Sequence, residues 1–315
     1  MYFLIWMLQK KRKKSRPQIS KMSLPQTIKS LFDRTVSINY DGHSNEHPII
    51  VLNALKNIIG DNQKSPSQSL LDAMSEVSEQ NVQRNDDQYV LDCAAKDGLG
   101  LTVFISDLED ACQSGNPLDM ETEAARLQWV SENGLGGLEV LIEVALQDFD
   151  RLGLFAYHLQ RANAFNQDVK NTWFYTRCIL KEIAKSPLPE PHGKVEDREC
   201  KVDNVPGNQE QLNKMAAARR LWDGNYIRID GFRRELSHWF NTIPIEESHK
   251  KNIMNGLEGY VKNGGNFFIE LAEGLIGNPD WVSKVVQLEA LRYFSKNASH
   301  ENLQIISYQM EGIIP

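Results

Sequence analysis

The sequence predicts an all-α fold, a single large helical bundle or two helical subdomains. Three observations carry that expectation. Apolar residues recur at helical spacing over most of the 315 residues. Proline, glycine and asparagine punctuate the ends of these runs, as helix starts and stops require. Period-two alternation is confined to short pieces such as 226–229, too little for a large sheet.

The elements follow in order. In Pro48–Ile59, Ile50, Leu52, Ala54, Leu55, Ile58 and Ile59 form an apolar stripe that Gly60 closes. Ser65-Pro66 opens a segment faced by Leu70, Leu71, Met74 and Val77. The run 90–112 is mostly apolar, interrupted by Gly98 and Gly100, and ends at Ser114-Gly115-Asn116-Pro117. A helix over 121–132 stops at Gly134, Gly136 and Gly137. The longest predicted helix spans 138–163, with 173–183 after it. Four prolines, two glycines and many charges then mark 186–210 as a surface loop, a lid or a linker. Beyond it, 211–222, 232–241, 246–262, Phe267–Leu275 and 279–295 read as helices, with Asn278 as cap and Pro279 as first residue of the last.

Charge narrows the partners. The formal net charge is −7, but residues 1–21 carry seven basic side chains and no acidic one. The rest holds 28 basic against 42 acidic residues, near −14. Such a body repels phosphate backbones, so nucleic acid is an unlikely partner of the core. Residues 1–22 read as a basic, disordered tail, with Met22 as an alternative start; 23–315 form the helical domain. The eight residues before the basic run are too few to span a bilayer, and no later segment has transmembrane length. Cys93, Cys112, Cys178 and Cys200 are scattered without a CxxC, which suggests reduced thiols and a cytoplasmic location.

No run has the specificity of a P-loop, an HExxH or a four-cysteine zinc site. Four constellations remain. Asp86 and Asp87, with Asp92 about a turn and a half later, suit Mg²⁺ held with substrate phosphates; the plain alternative is an acidic helix start. Arg177, one turn after Trp173, suits a phosphate or diphosphate, or caps a helix end. Arg292 and Tyr293 sit late on the 279–295 helix.

Together these three resemble the class I terpene synthases. The resemblance implies an all-α, Mg²⁺-dependent enzyme that ionises a prenyl diphosphate, a small apolar diphosphate substrate. It assigns Asp86, Asp87 and Asp92 to the first metal motif, Arg177 to diphosphate sensing, and Arg292 with Tyr293 to the terminal Arg-Tyr pair. The first motif has two extra residues before Asp92. The second metal motif is not recognisable: Asp223 and Asp230 stand where it belongs, with no hydroxyl between them.

The fourth constellation is Glu235-x-x-His238 and Glu246-x-x-His249, the ligand pattern of di-iron carboxylate bundles. Glu139, Glu143 and Asp150 share one face of the predicted 138–163 helix and complete an Fe alternative. Glutamate and histidine near helix ends are also ordinary solvated residues. A third class is a non-enzymatic helical scaffold or regulator that binds a protein partner. The sequence leaves open whether the chain is an enzyme.

Overall fold

The computed structural model describes residues 22–100, 102–131, 134–166, 171–193, 205–206, 208–243 and 248–314. Among them the architecture is all-α, with fifteen α-helices and, in place of a sheet, a single bridge between Ile38 and Gln83. The helices are α1 (Leu24–Val36), α2 (Pro48–Ile59), α3 (Gln68–Glu79), α4 (Asp87–Asp97), α5 (Ile105–Ser114), α6 (Pro117–Val130), α7 (Leu135–Leu146) and α8 (Leu154–Asn166). They continue as α9 (Thr172–Ile183), α10 (Gln209–Trp222), α11 (Ile229–Thr242), α12 (Leu257–Asn263), α13 (Phe267–Leu275), α14 (Trp281–Ser295) and α15 (His300–Glu311).

Helices from both sides of the proline-rich break share one hydrophobic core, from Ile28 and Phe32 to Ile306 and Ile313. At its centre α2, α8, α10 and α14 pack as a ring of four, each against the next. This is the arrangement that builds binding sites from side chains on facing helices. No helix among the described residues is long and apolar enough to cross a membrane.

Several expectations need correction. The 138–163 helix is two helices, α7 and α8, separated by a π-helical turn at Phe149–Gly153. Asp148 leaves helical geometry at φ −113° and ψ 65°, its carboxylate takes Arg151 Nε at 2.6 Å, and the Phe149 ring fills the space a side chain at Gly153 would need. Asp150 is thereby removed from the line of Glu139 and Glu143; its carboxylate instead accepts Lys214 Nζ at 2.7 Å and Trp239 Nε1 at 3.2 Å.

The predicted 246–262 helix is reduced to α12. Its first residues, 246 and 247, lie outside the described ones, and residues 248–254 form no helix. Lys251 N bonds Gln304 O at 3.2 Å and Met254 N bonds Ser307 Oγ at 2.9 Å, so the neighbouring α15 satisfies this backbone instead of a helix. The turn at Gly256, φ +91°, then admits α12.

Smaller differences concern ends. Gly60 continues into a 3-10 turn at φ −59°, so its left-handed freedom goes unused. Ser67, not Pro66, caps α3, and α14 begins after Asp280 at φ 59°, with Asn278 Nδ2 donating to Gly274 O at 2.8 Å. The run 90–112 is split between α4 and α5, and Gly115 closes α5 in the left-handed conformation.

Candidate functional site: a cationic centre in the four-helix ring

Helix α2 is nearly all apolar, yet Asn53, Lys56 and Asn57 interrupt it at offsets of three and four and therefore share a face. The same spacing places Tyr157, His158 and Arg161 together on α8, and Glu289, Arg292 and Tyr293 together on α14. Arg220 joins them from the last turn of α10. Three helices thus each turn a short polar strip toward the centre, and α10 adds Arg220.

Glu289 is the hub. Its carboxylate accepts both Arg220 terminal nitrogens, at 2.7 and 2.8 Å, and Asn57 Nδ2 at 2.9 Å. Burial pushes the Glu289 carboxyl up, but Arg220 beside it outweighs that and holds it at about 2. The Arg220 guanidinium lies between two aromatic faces, 4.1 Å from the Tyr293 ring centre and 5.3 Å from that of Tyr157. Arg292 grips the Asp61 carboxylate through Nε at 2.7 Å and through Nη2, and Tyr260 Oη donates to the same carboxylate at 2.9 Å. Asn53 Nδ2 donates to His158 Nδ1 at 2.9 Å, and burial lowers the imidazole to about 3, so it is neutral.

The charges do not balance. Arg161, Arg220 and Arg292 act on Lys56 with Glu289 opposing them, and Arg292 is paired with Asp61. Lys296 adds a further cation at the exposed edge. Lys56 Nζ makes no hydrogen bond to a described residue; it sits 5.2 Å from the Phe165 ring centre. Burial, then Arg161, Arg220 and Arg292, lower its ammonium to about 8, with Glu289 opposing. Asn53 Oδ1 and Gln160 Oε1 are buried without a hydrogen-bond partner in the same core. Removing unbalanced cations from water is costly, so this arrangement suits an added anion. Arg161, Tyr226 and Tyr293 are exposed or half-buried, which carries the centre to the surface.

The residues singled out by sequence fall into three separate groups. Arg292 and Tyr293 belong to the cationic centre. Asp86 and Arg177 line one groove of about 510 Å³, together with Tyr40, Asp41, Glu121 and Lys181. There they pair with each other. Arg177, 1% exposed, spends all five of its donors on Asp86, Asp87 and Glu121, at 2.7 to 3.3 Å. The Arg177 bond holds the Asp86 carboxyl below its usual range. Asp87 also takes Arg84 Nε at 2.9 Å. Asp92 accepts Gln88 Nε2 at 2.8 Å on the α4 surface, and Asp223 is exposed at the end of α10.

The Glu/His set gathers partly between α7 and α11. Glu143 is gripped by Arg228 Nε and by Arg234 Nη2, the latter at 2.8 Å, and Arg234 also bonds Glu235 at 2.9 Å. Gly231 leaves room for this, because the Glu143 carboxylate occupies the position a Cβ there would take. Glu139 accepts Arg228 N at 3.1 Å. Glu235 receives His192 Nδ1 at 2.6 Å, and the His192 and His238 rings stack 3.5 Å apart. His249 lies in the non-helical segment before α12, 5.2 Å from the Tyr308 ring, and Glu246 is outside the described residues. Guanidiniums pair with Asp86 and Asp87 of the first proposed metal set and with Glu143 and Glu235 of the second. Among the described residues no group of three or more His, Cys, Asp or Glu is placed to hold a metal ion.

Lys56, Arg220, Glu289 and Asp61 were missed by the sequence reading. A signal existed: polar residues at offsets of three and four inside the apolar runs of α2 and α14. The chain matches no family model, and neither the curated proteins nor the solved structures yield a match.

Proposed function

We propose that the ring centre binds a small organic anion, a phosphate, diphosphate or carboxylate on an apolar or aromatic body. The observation that carries this reading is the cationic excess around Lys56, whose ammonium lacks an acceptor among the described residues. Guanidinium forks suit phosphate and carboxylate oxygens, and the faces of Tyr157 and Tyr293 suit the organic part. A prenyl diphosphate is the member of this class that the terpene synthase resemblance suggests, with Arg292 and Tyr293 contributing to its grip. Mg²⁺ chemistry at Asp86 and Asp87 draws no support from their pairing with Arg177. The three described cysteines are free thiols, which supports a cytoplasmic location.

Thermal unfolding with inorganic pyrophosphate at constant ionic strength tests the reading. A ligand at a hundred times its Kd stabilises by about 2.7 kcal/mol, a readily measured rise in Tm. Arg220→Gln should remove that rise. No rise beyond that given by chloride would reject anion binding and leave the scaffold reading in its place. Adding a prenyl diphosphate with Mg²⁺ and measuring released pyrophosphate decides whether the resemblance extends to chemistry.

A further inference from the structure

Lys56 differs from the other lysines whose contacts are defined. Lys185 bonds Glu182 and Gly42 O at 2.8 Å, and Lys214 bonds Asp150 at 2.7 Å. Lys250 and Lys251 pair with Glu301 and Glu311. Each of those is paired with a carboxylate. Lys56 has no such partner among the described residues and lies beside the Phe165 ring; the charges of Arg161 on α8, Arg220 on α10 and Arg292 on α14 act on it, with Glu289 opposing them. A carboxylate would hold the proton on the amine; neighbouring cations drive it off. Desolvation beside other cations is one of the ways in which a protein turns a lysine into a nucleophile.

We propose that Lys56 is the nucleophile of this centre, and that its Nζ condenses with the carbonyl of a carboxylate- or phosphate-bearing aldehyde or ketone to form an imine. The inference rests on the anion-binding reading, since the arginines must hold the charged group while the carbonyl meets the amine. The free amine's lone pair attacks the carbonyl carbon, forming the C–N bond, and the oxygen takes up a proton to give a carbinolamine. The nitrogen lone pair then forms the C=N double bond as the hydroxyl, taking a proton from solvent, leaves as water. The product is a protonated imine, which carries the one positive charge of the original ammonium, and the centre gains the substrate's negative charge. The position of the amine's acid–base equilibrium, about 8, agrees with a usable free-base fraction near neutral pH. Phe165, over the amine at 5.2 Å, covers one side of it with an apolar face.

The full chain is incubated with pyridoxal 5′-phosphate or with pyridoxal, reduced with borohydride, and mapped by peptide mass spectrometry. Pyridoxal phosphate should label Lys56 at least about tenfold faster than any other lysine, because the bound phosphate raises the local aldehyde concentration. Inorganic pyrophosphate should block that label, and pyridoxal should show no preference for Lys56. Lys56→Arg, which keeps the charge, should lose the label yet retain the pyrophosphate-induced rise in Tm. If Lys56 stays unlabelled while pyrophosphate still raises Tm, the nucleophile is overturned and anion binding stands. If there is neither label nor rise, both fall. Equal labelling by the two aldehydes would overturn the directed condensation.

Discussion

Two arginine-centred clusters lie in this fold, and they handle charge in opposite ways. Around Arg177, Arg84 and Arg177 meet Asp86, Asp87 and Glu121, and the Arg177 guanidinium spends every donor on these carboxylates. Around Arg220, cations outnumber carboxylates and the Lys56 amine has no acceptor among the described residues. The first cluster is closed: it ties α4, α6 and α9 together and leaves nothing to offer a ligand. The second is incomplete. A buried ion pair is weak evidence of function by itself; an unbalanced one is stronger, because folding alone gives no reason to keep it.

The largest expected effect breaks the closed cluster. Arg177→Ala takes the guanidinium from Asp86 and Glu121 and leaves Asp87 to Arg84 alone, and urea unfolding should show a loss of about 3 kcal/mol. Pyrophosphate binding should be unaffected in whatever protein remains folded. A loss below about 1 kcal/mol would mean the cluster is not the fastening described.

Glu289→Gln is next, with an expected loss of about 3 kcal/mol, because Arg220 is left without a buried counter-charge. Pyrophosphate should recover part of that loss, whereas it should recover none in Arg177→Ala. Lys56→Met has the opposite sign. Removing a half-buried cation that has no acceptor among the described residues should stabilise the free protein by about 1 kcal/mol while weakening pyrophosphate binding about tenfold. A destabilised Lys56→Met protein would show that the amine contributes to the fold.

Acidity supplies the smallest and most specific contrast. Arg161, Arg220, Arg292 and Glu289 face Lys56, whose ammonium is lowered to about 8 from an ordinary 10.5. Anion affinity should therefore fall as pH rises through about 8. The unfolded chain keeps this proton up to its ordinary value, so Lys56 makes the free fold gain stability between about pH 8 and 10.5. On the acid side, His158 stays neutral down to about 3 while the unfolded chain takes up a proton below about 6.5. Glu289, held at about 2, adds stability above its ordinary 4.5 that is lost as pH falls through its folded value. Both groups make stability fall with acid, and Glu289→Gln should flatten only the lower part of that profile.

The helices were readable where an apolar stripe met a local stop signal, as at Pro48–Ile59 and Phe267–Leu275. They were misread where tertiary contacts decided the outcome. The Arg151–Asp148 bond and the Phe149 ring help shape the turn in 138–163, and α15 takes over the hydrogen bonds of residues 251 and 254. Helix α1 carried a readable capping box at Ser23 and Gln26 that went unused. For the site, Arg292 and Tyr293 were named, but their true neighbours come from α2, α8 and α10, more than sixty residues away along the chain. Asp86 and Arg177 were named as ligand-binding groups, and each is the other's partner. Sequence spacing shows which charges share a helix face. It does not show whether a carboxylate on a distant helix already neutralises them.

The central claim, that the Arg220 centre is built for an anion, is tested most directly by calorimetric titration of the full chain with inorganic pyrophosphate. The titration is run at pH 8 in buffers of different ionisation heat. The account predicts saturable binding with uptake of a fraction of a proton, as the bound anion raises the Lys56 ammonium toward its ordinary range. Lys56→Met should abolish the uptake, and Arg220→Gln the binding. Saturable heat that is unchanged in both variants, or no heat beyond dilution in the wild-type chain, would contradict it.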